Sequence, residues 1–181
     1  MNAVQKFFAV ENARRRNELK GKTISLLGLM IALSAIGASI KIPAVIDSVA
    51  LDALPALLAS ALLGVGAGAI TGALGHLLSA LIGGFPLGPM HLLIASEMAV
   101  LVWIFGILYK QNKKVLAGLV FIAGNAFIAP VPFIFLMNKG FYAAIVPSLL
   151  IGSFLNTVLA VILIPRLSYL AEHVLKKRDV H

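Results

Sequence analysis

GHLLSALIGGFPLGPMHLLIASE, residues 75–97, sets His76, His91 and Glu97 around a Gly/Pro-rich turn between two apolar runs. Gly83-Gly84-Phe85-Pro86 carries turn chemistry, and the runs on either side are long enough to cross a bilayer. Ionisable groups at membrane depth are costly, therefore rare and usually paired, and they mark functional sites. This stretch reads as much of a small-molecule pocket near the outer face of a membrane protein, with Phe85 of the turn among its candidate residues.

The rest of the composition agrees with a bilayer environment. Of 181 residues, 60% are hydrophobic and 12% charged, against roughly 25% charged in soluble domains; the mean hydropathy is +1.00. No aqueous fold of this size hides so much apolar surface, so the class is an all-α membrane protein. Cysteine is absent, which excludes disulfides, thiolate chemistry and Cys-based metal sites. The net charge of +8 suggests nucleic acid only until positions are considered: the basic residues lie at the ends and in short gaps between apolar runs. That pattern is topological. Residues 1–22 lack the apolar core and cleavage pattern of a signal peptide.

Lys and Arg divide the chain into crossings. Eighteen residues without a basic side chain separate Lys22 from Lys41, enough for one span. Another 68 separate Lys41 from Lys110; as helix these reach ~100 Å, about three crossings of a ~30 Å core. Lys114 to Lys139 and Lys139 to Arg166 each enclose one more. The spacing predicts six transmembrane helices in a compact bundle, near 24–40, 49–64, 66–82, 90–108, 115–136 and 142–164. With both termini inside, 13 of the 15 basic residues are cytoplasmic and only Lys41 and Lys139 lie outside, as the positive-inside rule requires. The expected organisation is a cytoplasmic segment 1–22, a six-helix substrate-binding domain 23–166 and a cytoplasmic tail 167–181. The first segment mixes Phe7, Phe8 and Val10 with basic residues, fitting either a helix on the headgroups or a solvated tail. His173 and His181 near the C-terminus are read as incidental.

Two rows of small residues stand out. Gly28, Ala32, Ala35 and Ser39 share one face of the first span, and Gly64, Gly68, Gly72 and Gly75 run into the third. Small residues at this spacing let helix backbones approach closely, which drives association in lipid. For the glycine row the reading is internal packing. For the first span, packing within the bundle and contact with another protein both remain open.

Among polar groups at depth, Glu97 falls two turns into the fourth span, so its carboxylate must be paired, protonated or awaiting a ligand's donor. His76 is the expected partner of Glu97, and His91 either reaches a ligand or caps the mouth. Asp52, with Asp47 and Lys41 in the preceding loop, lines the same mouth, although Lys41 equally suits the headgroups. Asn125 is a further pocket candidate, because Pro130 and Pro132 free nearby carbonyls. Asn156, placed in the cytoplasmic half, suits interhelical hydrogen bonding. Trp103 is expected against lipid or neighbouring helices. Gly21-Lys22-Thr23 resembles the end of a phosphate-binding loop, but Arg16 replaces its first glycine and no strand precedes it. His76, His91 and Glu97 match no standard metal signature, so no metal is expected. No serine, histidine and acid constellation suggests catalysis.

Through IALSAIGASIKIP, SVALDALPALL, GALGHLLSALIGGFPLGPMHLLIASEMA and FGILYK, the chain resembles the substrate-binding membrane subunits (S components) of energy-coupling factor (ECF) vitamin transporters. Within that family it is most similar to the α-ribazole branch, whose sisters carry pantothenate and thiamine precursors such as hydroxymethylpyrimidine. The resemblance implies a capture subunit of a bacterial cell-membrane importer, with no cofactor of its own. A transmembrane coupling protein and two ATPases that use ATP would be its partners. It also implies that the small face of the first span docks the coupling protein, although the family's strict Ala-x-x-x-Ala pattern is absent here. The competing reading is a small oligomeric channel or proton-coupled transporter using Glu97 and His76 as a relay. A relay needs polar groups continued across the membrane, whereas these cluster in the outer halves of the second to fifth spans.

Overall fold

A computed structural model describes residues 3–43 and 48–176. Asp47 and His181 lie outside them. The described chain is helical apart from one small hairpin. Helix α1 (Ala3–Ser39) leads to strands β1 (Lys41–Pro43) and β2 (Ser48–Ala50), then α2 (Leu54–Leu62), α3 (Val65–Ile82) and α4 (Met90–Lys110). Helix α5 (Lys114–Ala123) passes through a π-helical turn, Gly124–Ile128, into α6 (Pro132–Leu136), and α7 (Lys139–Lys176) closes the bundle. Five segments are long and apolar enough to cross a membrane: Lys20–Ser39, Val65–Ile82, Met90–Lys110, Lys114–Leu136 and Lys139–Leu170.

The second expected span departs from expectation. Residues 49–64 do not form a full-length helix: β2 pairs antiparallel with β1, Lys41 opposite Ala50, and α2 has only nine residues. Nine residues rise ~14 Å, under half a hydrocarbon core. The segment nevertheless runs the length of the bundle. It starts against α1, where Leu51 N–H donates to Gly37 O at 3.1 Å, and it ends at Gly64, whose Cβ position lies 4.0 Å from Lys110 Nζ at the far end of α4. Extended backbone at this depth is tolerated because protein rather than lipid surrounds it. Pro55 through Ser60 are all buried.

Tight packing of α2 explains the glycine row. Ser60 sits between Gly68 of α3 and Gly106 of α4, where a Cβ on either glycine would collide with it, and Ser60 Oγ donates to Val102 O at 3.0 Å. Gly72 packs on Met98 and Gly75 on Ser34, so the expected internal packing holds for these three positions. Gly64 instead makes the α2–α3 turn at φ +125, a conformation glycine adopts without a Cβ clash. Leu57, Val102, Phe105 and Phe121 are fully buried below the hairpin end, and Phe105 meets Phe121 edge-on at 6.3 Å.

Two irregularities shape the other side. Pro130 and Pro132 supply no backbone N–H, so regular helix fails there, and the chain widens into the π turn, Ala129 N–H donating to Gly124 O at 2.8 Å. Helix α7 starts where Asn138 Oδ1 accepts from Phe141 N–H at 2.8 Å and continues through Pro147 and Pro165, beyond the expected 142–164. At the other terminus the backbone of α1 is continuous from Ala3 to Ser39. Trp103 faces outward, 46% exposed.

Candidate functional site

A cavity of about 440 Å³ opens between α3, α4, the π turn, α7 and the end of β2 with its connection to α2. That lies within the usual range for small-molecule sites. Asp52, His76, Ile94, Met98, Asn125 and Asn156 line it, with a face of α7 from Phe141 onward. Successive helices are antiparallel, so Asp52 before α2, His76 late in α3, Ile94 early in α4 and Asn125 late in the α5 segment share the bundle end that carries the hairpin. Short connections of two to seven residues enforce that alternation.

His76 is held by a chain of hydrogen bonds. Its Nε2 lies 3.1 Å from His91 Nδ1, and Leu87 N–H donates to His91 Nε2 at 3.3 Å. A backbone N–H can only donate, so His91 Nε2 accepts and the proton of an uncharged ring sits on Nδ1. His76 Nε2 then accepts from it, which leaves His76 with Nδ1–H as a donor. The fixed tautomer comes from the 83–89 turn. Phe85 takes φ +54 there, rare for a bulky residue; its N–H donates to Ala80 O at 2.7 Å, and its ring lies 4.8 Å from that of His91. A glycine would fit this backbone more easily.

The expected partnership of His76 with Glu97 is not formed: His76 meets His91. Glu97 is not among the lining residues, and its buried Oε2 has no hydrogen-bond partner. Helix rotation accounts for this. His91, Ala95, Met98 and Val102 form the buried face of α4, and Glu97 stands off that face. His91 is itself 6% exposed and supports His76 from behind. Asp52, half-buried, lies near enough to His76 to act on it electrostatically.

Asn125 projects from the π turn, its Nδ2 donating to Ser153 Oγ at 2.8 Å; single π turns inside helices often occur at functional sites. Asn156 does more than bridge helices. Its Oδ1 accepts from Leu54 N–H at 2.7 Å, and its Nδ2 donates to Ala50 O at 2.9 Å and Gly152 O at 2.8 Å. It therefore caps α2, whose own N-cap residue Ala53 offers no side-chain acceptor, and it ties down the strand carrying Asp52. Reading by sequence undervalued α7: Ile145, Ser148, Leu149, Gly152, Ser153 and Asn156 recur at i, i+3, i+4, i+7, i+8 and i+11. That spacing of small and polar residues was the available signal.

Gly28, Ala32 and Ser39 are exposed on α1 and Ala35 is half-buried, and a Cβ on Gly28 would meet nothing within 4 Å among the described residues. The buried face of α1 is a different one, Ser34, Gly37 and Ala38.

Compared with protein-family models, residues 22–176 match the family described as ECF transporter, substrate-specific component. Comparison with curated proteins finds no match.

Proposed function

Since the chain belongs to the substrate-specific components of ECF transporters, we propose that its 440 Å³ cavity captures a vitamin or vitamin precursor at the outer face of a bacterial cell membrane. α-Ribazole is the first candidate, with hydroxymethylpyrimidine and pantothenate behind it. The supporting observation is the convergence of Asp52, His76 and Asn125 on one mostly apolar cavity, which is how small-molecule sites combine affinity with orientation. The positions of the basic residues support cytoplasmic termini. In this reading the subunit performs no chemistry, and a coupling protein with two ATPases supplies ATP-driven release.

The proton-coupled alternative is disfavoured by the hydrogen bonds. From His76 they run to His91 and stop at the Leu87 amide, and Glu97 Oε2 continues no chain.

Mass spectrometry of small molecules released from the protein purified in mild detergent tests capture directly. A near-stoichiometric vitamin precursor is the expected result; an empty protein that binds none of the added candidates overturns the proposal. Against the identified ligand, His76→Ala is expected to weaken binding about 10- to 100-fold, the loss of a directed hydrogen bond in a desolvated site. Glu97→Gln should change it less than about threefold, since Glu97 stands outside the lining. The reverse order would move the site toward α4.

Docking is assigned to Gly28, Ala32, Ala35 and Ser39. A mid-helix glycine costs about 1 kcal/mol relative to alanine, and no contact among the described residues requires one at Gly28. Ala32→Leu is expected to leave ligand binding intact while abolishing co-purification with the coupling protein. Undiminished co-purification would place the docking face elsewhere.

A further inference from the structure

The charge of the cavity narrows what can enter it. Among the described lining residues there is no lysine or arginine, and Asp52 is the one carboxylate. No protein donor meets that carboxylate among the described residues. Three other polar side chains of the lining are already engaged. Asn156 makes three hydrogen bonds, Ser153 accepts from Asn125 and donates to Leu149 O at 2.6 Å, and Ser148 has a partner of its own. What remains for a ligand is the Asp52 carboxylate, the Nδ1–H of His76, and the amide oxygen and second Nδ2–H of Asn125. That set comprises one charged acceptor, one neutral acceptor and two neutral donors.

We infer that the cavity takes an uncharged or cationic ligand and excludes anions, with Asp52 accepting from a hydroxyl, amino or ring N–H group and His76 donating to a neighbouring acceptor. This rests on the capture reading above. A phosphate or carboxylate placed here would face a like charge with no lysine or arginine among the described lining residues to offset it, in surroundings that are mainly hydrocarbon, where such juxtapositions are strongly unfavourable. The basic residue nearest along the chain is Lys41, on β1 opposite Ala50. Within the candidate set the inference keeps α-ribazole, a benzimidazole nucleoside with hydroxyl donors and a ring-nitrogen acceptor, and hydroxymethylpyrimidine. It removes pantothenate, a carboxylate.

Matched pairs differing by one anionic group provide the test. The detergent-purified full chain is titrated with α-ribazole and α-ribazole 5′-phosphate, with hydroxymethylpyrimidine and its phosphate, and with pantothenate. The expected result is binding of an uncharged member at least about 100-fold tighter than its phosphate, with Asp52→Asn narrowing that gap to about tenfold or less. A phosphate binding within tenfold of its uncharged partner, or pantothenate as the tightest probe, overturns the charge assignment while leaving capture standing. Binding of no probe overturns both. If Asp52→Asn does not fold, the wild-type pairs alone decide.

Discussion

Asn156→Leu is expected to abolish ligand capture and to destabilise the folded protein by about 2–6 kcal/mol. The estimate follows from what the side chain satisfies. Leucine fills similar space but neither accepts from Leu54 N–H nor donates to Ala50 O, and both groups are then left without their partner in a largely dry interior. Each orphaned backbone group costs roughly 1–3 kcal/mol. The Gly152 carbonyl, an ordinary i−4 helix acceptor, is not orphaned in the same way. Loss of binding follows because residues 50–54 carry Asp52 and Ala53 into the cavity. Thermal unfolding in detergent and titration with the ligand check both parts. Ser153→Ala, which removes the hydrogen bonds to Asn125 and Leu149 O and leaves Asn156 in place, should cost about 1–2 kcal/mol. Asn156→Asp, which retains an acceptor for Leu54, should fall between the two. A wild-type midpoint and affinity in Asn156→Leu would show that the hairpin and α2 are held by packing alone.

The second large effect is expected where three helices are closest. Gly106→Val places branched carbon where Ser60 Oγ already lies, and Ser60 is fully buried with its hydroxyl bonded to Val102 O. Neither side can yield, because Gly68 backs the same serine from α3. Overpacking of this kind costs about 1–3 kcal/mol and more where backbones must separate; the upper end applies here because the contact involves Cβ and Oγ atoms close to two helix axes. The expected result is loss of monodisperse protein, with partial recovery in the Ser60→Gly, Gly106→Ala double variant relative to Gly106→Ala alone. Additive effects of the two changes would mean that they do not share one contact.

These two sites explain why part of the architecture was legible in residue order and part was not. The expected break points, Gly83 to Pro86 and Asn138 to Gly140, coincide with real helix ends, because turn residues act through their own backbone preferences. The third to fifth expected spans agree with α3, α4 and the α5–α6 segment to within a few residues. By contrast, the second span was misjudged. A largely apolar run such as SVALDALPALLASALL suits a lipid-facing helix and an enclosed strand-plus-helix alike, and only the enclosure by α1, α3, α4 and α7 decides between them.

The candidate site divides along the same line. Asp52, His76 and Asn125 were recognisable because polar side chains at membrane depth are conspicuous in any register, and all three line the cavity. Which of them meet was not recognisable. Glu97 and His91 are six residues apart on α4, about 240° around the helix, and that rotation gives His91 to His76 and leaves Glu97 aside. The hydrogen bond from Leu87 to His91 depends on the left-handed turn at Phe85, and the Asn156 latch spans 102 residues.

Partition into the bilayer is additive along the chain: each residue contributes its own transfer free energy, so composition and charge order alone establish a membrane protein and mark where most of its crossings lie. Pairing within the bundle is not additive. It depends on how far each helix turns and how closely neighbours approach, which glycines and prolines set through contacts between distant segments. The short α2, the wall of α7 and the orientation of His76 therefore emerge only when the helices are assembled.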